Sequence, residues 1–374
     1  MDGLSLPIGL VEEILYRTPV ESLVRFKATC KEWNNLISSD TRFMYKHLDD
    51  HTPERFIRIH DHDAVQIMDP VTGIHTETPI PDEFHHPFPV SWMVHCDGLM
   101  LCRCEDWTRG RGQTVLLAVW NPVLRKIKLI DPLVCFWSRD YFGIGYHRES
   151  RDNYKILRFV YNDGEPYRDC EIYEFKSASW RAIDAGFDAG LDMEWECSVS
   201  VKGNMYWIAE TEERCIILCF NFSVETFKEI CACPLFWDST KRLECYSGDK
   251  ISLLTQAGGE SRDIEVWITN KLSDEVISFT KFFNVATTPD LPRLQLYTSP
   301  GFSIGKHRNI VAWCERVGTV QGDEQLYSFF TLYDIDHEGG VRKEIVTATR
   351  PLNDFNGLSI CSCIYFPSLI PVPE

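Results

Sequence analysis

The amino-acid sequence predicts a mostly β chain in two parts. A three-helix module over residues 1–48 is followed by a six-bladed β-propeller over residues 49–374, with seven blades left open as the alternative. Three observations predict it. Apolar residues fall at helical spacing only in about the first fifty positions. Beyond residue 52 short apolar or alternating runs are separated by Gly, Pro, Asn and Asp, the pattern of strands and turns. Within that region one strand–turn unit recurs about every fifty residues, the size of a four-stranded blade of kelch type.

In the N-terminal module Leu10, Val11, Ile14 and Leu15 make an apolar stripe at helical spacing behind Pro7, a residue tolerated in a first helical turn. Gly9 weakens that turn by roughly 1 kcal/mol relative to Ala. Thr18-Pro19-Val20-Glu21 reads as a capping box that opens a second helix bearing Val20, Leu23 and Val24. Thr29-Cys30-Lys31-Glu32 reads as another, and Phe26, Cys30, Trp33 and Ile37 keep one face of the helix around it. Asp40 is placed to cap a last turn with Phe43 and Met44. Three helices this short cannot bury so many apolar side chains among themselves, so they pack on the next domain or dock a partner.

The repeat is marked by a strand end followed by a turn: Met68-Asp69, Trp120-Asn121, Tyr173-Glu174, Phe220-Asn221, Ile268-Thr269 and Tyr333-Asp334. The polar markers lie 52, 53, 47, 48 and 65 residues apart, and the last interval leaves room for an insertion near Ala286–Pro292. A glycine before an apolar run (Gly98, Gly203, Gly248) permits a tight turn into the inner strand of its blade. The first unit lacks that half and the C-terminus has a spare copy. Residues Phe355–Phe366 are therefore expected to pair with the blade at residues 55–80, closing the ring and removing exposed sheet edges.

In order, Leu6-Pro7, Leu10–Leu15, Pro19–Leu23, Phe26, Cys30–Trp33 and Leu36-Ile37 resemble the F-box over about residues 4–48. Phe142–Tyr146, Tyr154–Arg158, Ile172-Tyr173 with Ser179–Arg181, Val201–Asn204 with Trp207, Cys219–Phe222 and Ile264–Thr269 resemble the F-box-associated domain of plant F-box/kelch-repeat proteins. The resemblance implies a substrate-recognition subunit of a Skp–cullin–F-box ubiquitin ligase. Its partners would be the adaptor subunit, through it the cullin and RING subunits, and a target protein held by the propeller. Leu6, Pro7, Leu10, Ile14, Leu15 and Leu23 would face the adaptor, joined by Phe26, Cys30 and Trp33, which also serve the module's own core. The resemblance names no target and no target-binding residue.

Composition narrows the alternatives. Of a formal net charge of −17, the first fifty residues account for −2, leaving 32 basic against 47 acidic residues in the remainder. Such a domain repels phosphate backbones, which argues against nucleic acid; Arg109-Gly110-Arg111-Gly112 reads as a solvated loop. The sequence offers no apolar run of membrane-span length and no signal-peptide pattern. The 15 scattered cysteines suit a reducing compartment, so cytoplasm or nucleus is expected.

No catalytic residue, metal site or cofactor is expected. His60-Asp61-His62-Asp63 lies in a predicted turn between strands 55–60 and 65–69, and adjacent ligands from one tight turn rarely complete a metal site. His85-His86 reads the same way. Cys102/Cys104, Cys231/Cys233 and Cys361/Cys363 are spaced as same-face strand residues rather than as C-x-x-C ligands. Glu194/Glu196 carries no geometric signal in so acidic a chain. Two other classes stand beside the ligase receptor: a propeller scaffold whose helices merely pack on the blades, and a propeller enzyme with polar groups at its channel mouth.

Overall fold

The computed structural model describes residues 7–60, 64–84, 90–105, 115–133, 135–137, 140–162, 165–186, 191–211, 213–234, 239–258, 261–288, 291–294, 301–305, 308–319, 326–351 and 362–374. Four helices precede the strands: α1 (Ile8–Tyr16), α2 (Val20–Phe26), α3 (Lys31–Ser39) and α4 (Thr41–His51). The turn expected at Asp40 is thus a whole helix, with Asp40 Oδ1 accepting from Phe43 N at 3.1 Å. Neither capping box forms. Proline is the N-cap residue of both α1 and α2 without a side-chain bond, and Thr18 instead donates back to Ile14 O at 2.8 Å. At α3 the cap is Cys30, whose Sγ accepts from Trp33 N.

Six four-stranded antiparallel sheets follow. Blade one takes β1 (Arg55–His60), β2 (Ala64–Met68) and β3 (His75–Pro79). Blade two takes β4 (Val90–Cys96), β5 (Leu99–Glu105), β6 (Val115–Asn121) and β7 (Lys126–Ile130), and blade three β8 (Tyr141–His147), β9 (Ser150–Asn162), β10 (Glu165–Glu174) and β11 (Ser179–Ile183). Blade four holds β12 (Asp192–Val201), β13 (Asn204–Glu210), β14 (Cys215–Asn221) and β15 (Thr226–Ala232). Blade five holds β16 (Ser239–Tyr246), β17 (Lys250–Ala257), β18 (Ile264–Thr269) and β19 (Phe279–Val285). Blade six holds β20 (Gly301–Ile304), β21 (Asn309–Thr319), β22 (Leu326–Asp336) and β23 (Val341–Pro351). The C-terminal β24 (Ser362–Tyr365) then pairs with β1 as the inner strand of blade one, Phe56 opposite Ile364. The ring closes through a C-terminal strand, as expected, with six blades; of Phe355–Phe366 only residues 362–366 are among the described residues. The strands that follow Gly98, Gly203 and Gly248 are β5, β13 and β17, the second and not the inner strands of their blades, because each glycine sits in the first hairpin turn.

The polar markers lie at or within two residues of the end of each blade's third strand, and several bind the turn that follows. Asp69 Oδ1 accepts from Val71 N and Thr72 N, and Asn121 Oδ1 accepts from Leu124 N. Such side-chain caps are why Asp and Asn recur there. In blades five and six the capping residues are Asn270 and Asp336, one and two positions past the marked Thr269 and Asp334. Blade six also explains the long last interval: β20 starts 16 residues after Val285, and β21 and β22 have 11 residues each. Gly98 and Gly203 sit at φ +84° and +79° in two-residue hairpin turns whose first residues, Asp97 and Lys202, also have positive φ. This is the left-handed pair that such hairpins need.

Because strands within a blade alternate in direction, first-to-second and third-to-fourth turns open on one face of the ring, and the other connections open on the opposite face. The helices and the C-terminal tail lie on the first of these. Leu15, Leu23, Ile37, Phe43, Met44 and Leu48 join Leu101, Phe142, Tyr146 and Tyr154 of blades two and three in one apolar cluster.

Candidate protein-docking surfaces

Helix α1 divides its apolar stripe between two environments. Leu15 and Tyr16 turn inward, where Tyr16 stacks on Phe43 with ring centroids 4.7 Å apart. Leu10 and Ile14, one turn apart on the outer face, are 53% and 54% exposed, and Pro7 extends the line toward the helix start. Two large aliphatic side chains left in water on one face are unfavourable for an isolated chain and suit a surface awaiting a partner.

The other residues expected on an adaptor face are distributed differently. Leu15 and Leu23 have no exposed surface, so they hold the helices together and present nothing outward. Their helical spacing matched the stripe, but the inner edge of the stripe is consumed by packing. Phe26 and Trp33 are half-buried, their rings 5.6 Å apart, and Cys30 is half-buried at the α3 cap. Leu6 lies outside the described residues.

The module is fastened to the blades by α4. Tyr45 Oη donates to Arg151 O at 3.0 Å and lies 3.4 Å from Tyr154 Oη. The Arg151 guanidinium, on the first turn of blade three, meets Asp49 of α4 at 2.7 and 2.8 Å and Asp97 of blade two at 2.8 and 2.9 Å. It also covers the Tyr45 ring at 4.4 Å. Burial opposes the charge, but the hydrogen bonds that Arg151 donates to both carboxylates raise its pKa. No sequence signal marked this tie, because its partners are 54 and 102 residues away.

The F-box domain model matches residues 4–45, and the F-box-associated beta propeller domain model matches residues 51–372. The chain belongs to the F-box-associated β-propeller family. Among its relatives in Arabidopsis thaliana, putative F-box only protein 15 is 55% identical over 380 residues, covering 99% of this chain and 98% of that protein. F-box/WD-40 repeat-containing protein 1 is 38% identical, covering 99% of this chain and 89% of that one. An F-box/kelch-repeat protein is 29% identical, covering 86% of this chain and 87% of its own length.

The ionisable clusters of this F-box propeller act as ties between strands. Lys241 of blade five bonds both Glu194 and Glu210 of blade four, and Cys215 donates to Glu210 at 3.3 Å. Burial raises Glu194; the bonds from Lys241 and Cys215 overcome burial and hold Glu210 low. Arg242 and Glu244 stand 3.0 Å apart on one face of β16, and burial pushes Glu244 up to about 7 against the pull of Arg242. These groups satisfy one another, as buried charges must.

Among the described residues no three His, Cys, Asp or Glu side chains come together as a metal site. His60 ends β1 and Ala64 begins β2; Asp61–Asp63 and His85-His86 are outside the described residues, as are Arg109–Gly112 and Cys361. Cys102 and Cys104 are both buried on β5, Cys233 is buried and Cys231 half-buried.

Proposed function

We propose that this chain is the substrate receptor of a Skp–cullin–F-box type ubiquitin ligase and contributes no catalytic residue of its own. The observation that carries the reading is the exposed Pro7–Leu10–Ile14 line on a helix whose other side is locked into the molecule. The ligase adaptor would cover that line, with Phe26, Cys30 and Trp33 at its margin. The propeller would hold a target protein, and proximity would raise the effective concentration of target lysines at the charged enzyme. The fastening of α4 supports this role, since a fixed angle between receptor parts keeps the target within reach. Cytoplasm or nucleus, where such ligases act, is the proposed location.

The test is co-expression of the full chain with the ligase adaptor, comparing wild type with Leu10→Ser/Ile14→Ser. Co-purification of wild type and its loss in the double variant, with both proteins melting at the same temperature, is the expected result. Failure of well-folded wild type to bind the adaptor would leave the scaffold reading in its place. Deleting residues 1–50 is a poor control, because Phe43, Tyr45 and Leu48 pack within the cluster shared with the blades and their loss would expose apolar surface under either reading.

A further inference from the structure

The connection from blade two to blade three opens on the face opposite the helices, and its described residues are 131–133, 135–137 and 140. Several of its described residues are tied into blades two and three. Asp140 is fully buried; its Oδ2 accepts from Arg158 Nε at 2.8 Å and Nη2 at 2.6 Å, and from Trp137 N at 2.9 Å. Arg158 also donates to Cys135 O at 2.6 Å and to Glu171 at 2.9 Å, and Arg103 donates to Asp140 O at 3.2 Å. Phe136 is buried edge-on to Phe142 and Trp180, and Trp180 Nε1 donates to Asp131 O at 2.7 Å.

Set on this support, Trp137 is 46% exposed and Leu133 is 65% exposed. Leaving a Trp and a Leu in water is unfavourable, and nothing in the internal bonding of Asp140 needs either side chain. The burial of Phe136 and the bond from Trp137 N to Asp140 already meet part of the ordering cost that binding would otherwise incur. Exposed Trp side chains on rigid supports are the residues that dominate protein interfaces. The neighbouring cavity between Trp92, Arg103 and Tyr141 measures about 10 Å3, enough for one water at most, so that cavity holds no small ligand.

We propose that Leu133 and Trp137 anchor the target protein through a basic segment carrying large aliphatic or aromatic side chains. The charge follows from the surroundings. Arg103 and Arg158 are engaged internally, whereas Asp131 in this connection and Asp184 after the last strand of blade three are exposed on the same face. The propeller as a whole carries 47 acidic against 32 basic residues. This assignment rests on the receptor reading, because it places the target opposite the adaptor-binding helices.

The experiment uses the full chain co-expressed with the adaptor, and random peptides displayed on phage as the probe. Selected peptides are synthesised and titrated by fluorescence anisotropy against wild type, Trp137→Ala, Leu133→Ser and the control Val276→Ser, an exposed valine on the helix-bearing face. The expected peptides combine Lys or Arg with Leu, Phe or Trp. They lose affinity about tenfold or more in Trp137→Ala, lose affinity in Leu133→Ser, hold in Val276→Ser, and weaken with salt. No enrichment, acidic or uncharged peptides, or equal binding to all variants would overturn the proposal. So would a concentration-dependent dimer abolished by Trp137→Ala, which would make a second copy the occupant. Adaptor co-purification from the same preparations separates the two readings: folded chain that selects peptides without binding the adaptor defeats the receptor role and leaves this surface standing.

Discussion

Arg151 Nη1 lies 2.7 Å from Asp49 Oδ2, and this pair joins the last helix to the first turn of blade three. The same guanidinium binds Asp97 through Nε and Nη2, so one side chain spans α4, blade two and blade three. Arg151 is three-quarters buried while Asp49 is half exposed, which assigns most of the energy to the Arg151–Asp97 side. Arg151→Met is expected to destabilise the helix–propeller junction by about 1–3 kcal/mol, and Asp49→Asn by less than 1 kcal/mol. Hydrogen exchange would show it as faster exchange across Thr41–His51 with the inner blade strands unchanged. Uniform loss of protection throughout the molecule would show instead that helices and blades unfold as a single unit.

The two sides of the helical module predict opposite phenotypes. Leu10→Ser and Ile14→Ser change residues with more than half their surface in water, so stability should move by no more than about 0.5 kcal/mol. Leu15→Ala and Leu23→Ala empty fully buried sites and should cost about 2–5 kcal/mol each. Urea unfolding midpoints read the stability and adaptor co-purification reads the surface. If Leu23→Ala removes adaptor binding while the midpoint stays at the wild-type value, the division drawn here is wrong.

The repeating half of the molecule was readable because its signal is local. Asp69, Asn121 and Asn221 bond turn residues two or three positions on, so Asp or Asn recurs at the same place in blades one, two and four. Gly98 and Gly203 mark hairpins for the same reason. Helix boundaries were harder. Thr18 and Thr29 have the sequence of capping boxes, yet the chain starts α2 and α3 one residue later, with Pro19 and Cys30 as caps. The exposed line of α1 was half readable: periodicity finds the stripe of Leu10, Val11, Ile14 and Leu15, but which edge stays in water depends on Phe43 and the blades behind it. Arg151 and the Arg158–Asp140 pair left no trace, since their geometry is set by folding of segments far apart in the chain.

Closure of the ring places strong demands on the tail. Asn121 Nδ2 donates to Ser368 O at 3.2 Å and to Ile370 O at 2.7 Å, and Asn121 is fully buried. Asn121→Ala strands two buried carbonyls and should cost about 1–3 kcal/mol. Gly98→Ala is the harsher change: its φ is +84°, and a Cβ there would come within 2.1 Å of Ser368 Oγ, itself buried. The expected outcome is detachment of the tail, seen as protease cleavage after Phe366 that wild type resists. Wild-type resistance in Gly98→Ala would mean that the tail is not fixed by this contact.

Stability against pH should carry two opposed signatures. His95 Nε2 accepts from Gly98 N at 2.7 Å and from Phe366 N at 3.3 Å, so the ring is neutral with its proton on Nδ1, and burial pulls its pKa from 6.5 down to about 3. The unfolded chain then binds the proton more readily, and the contribution of His95 is complete above pH 6.5 and lost as pH falls toward 3. Burial also lowers His47, which acts in the same direction. Glu244 does the reverse. Its pKa rises from 4.5 to about 7, so the folded chain holds the proton more tightly; its contribution is complete below pH 4.5 and lost as pH rises through 7. Between pH 4.5 and 6.5 the two oppose each other; above 6.5 the loss from Glu244 stands without the gain from His95. Denaturation midpoints of wild type should therefore fall between pH 6.5 and 8. Glu244→Gln should flatten that limb whatever its absolute stability, and His95→Asn should soften the decline below pH 4.5, where Glu244 no longer offsets it. An unchanged slope above 6.5 in Glu244→Gln would show that this carboxyl does not titrate in that range.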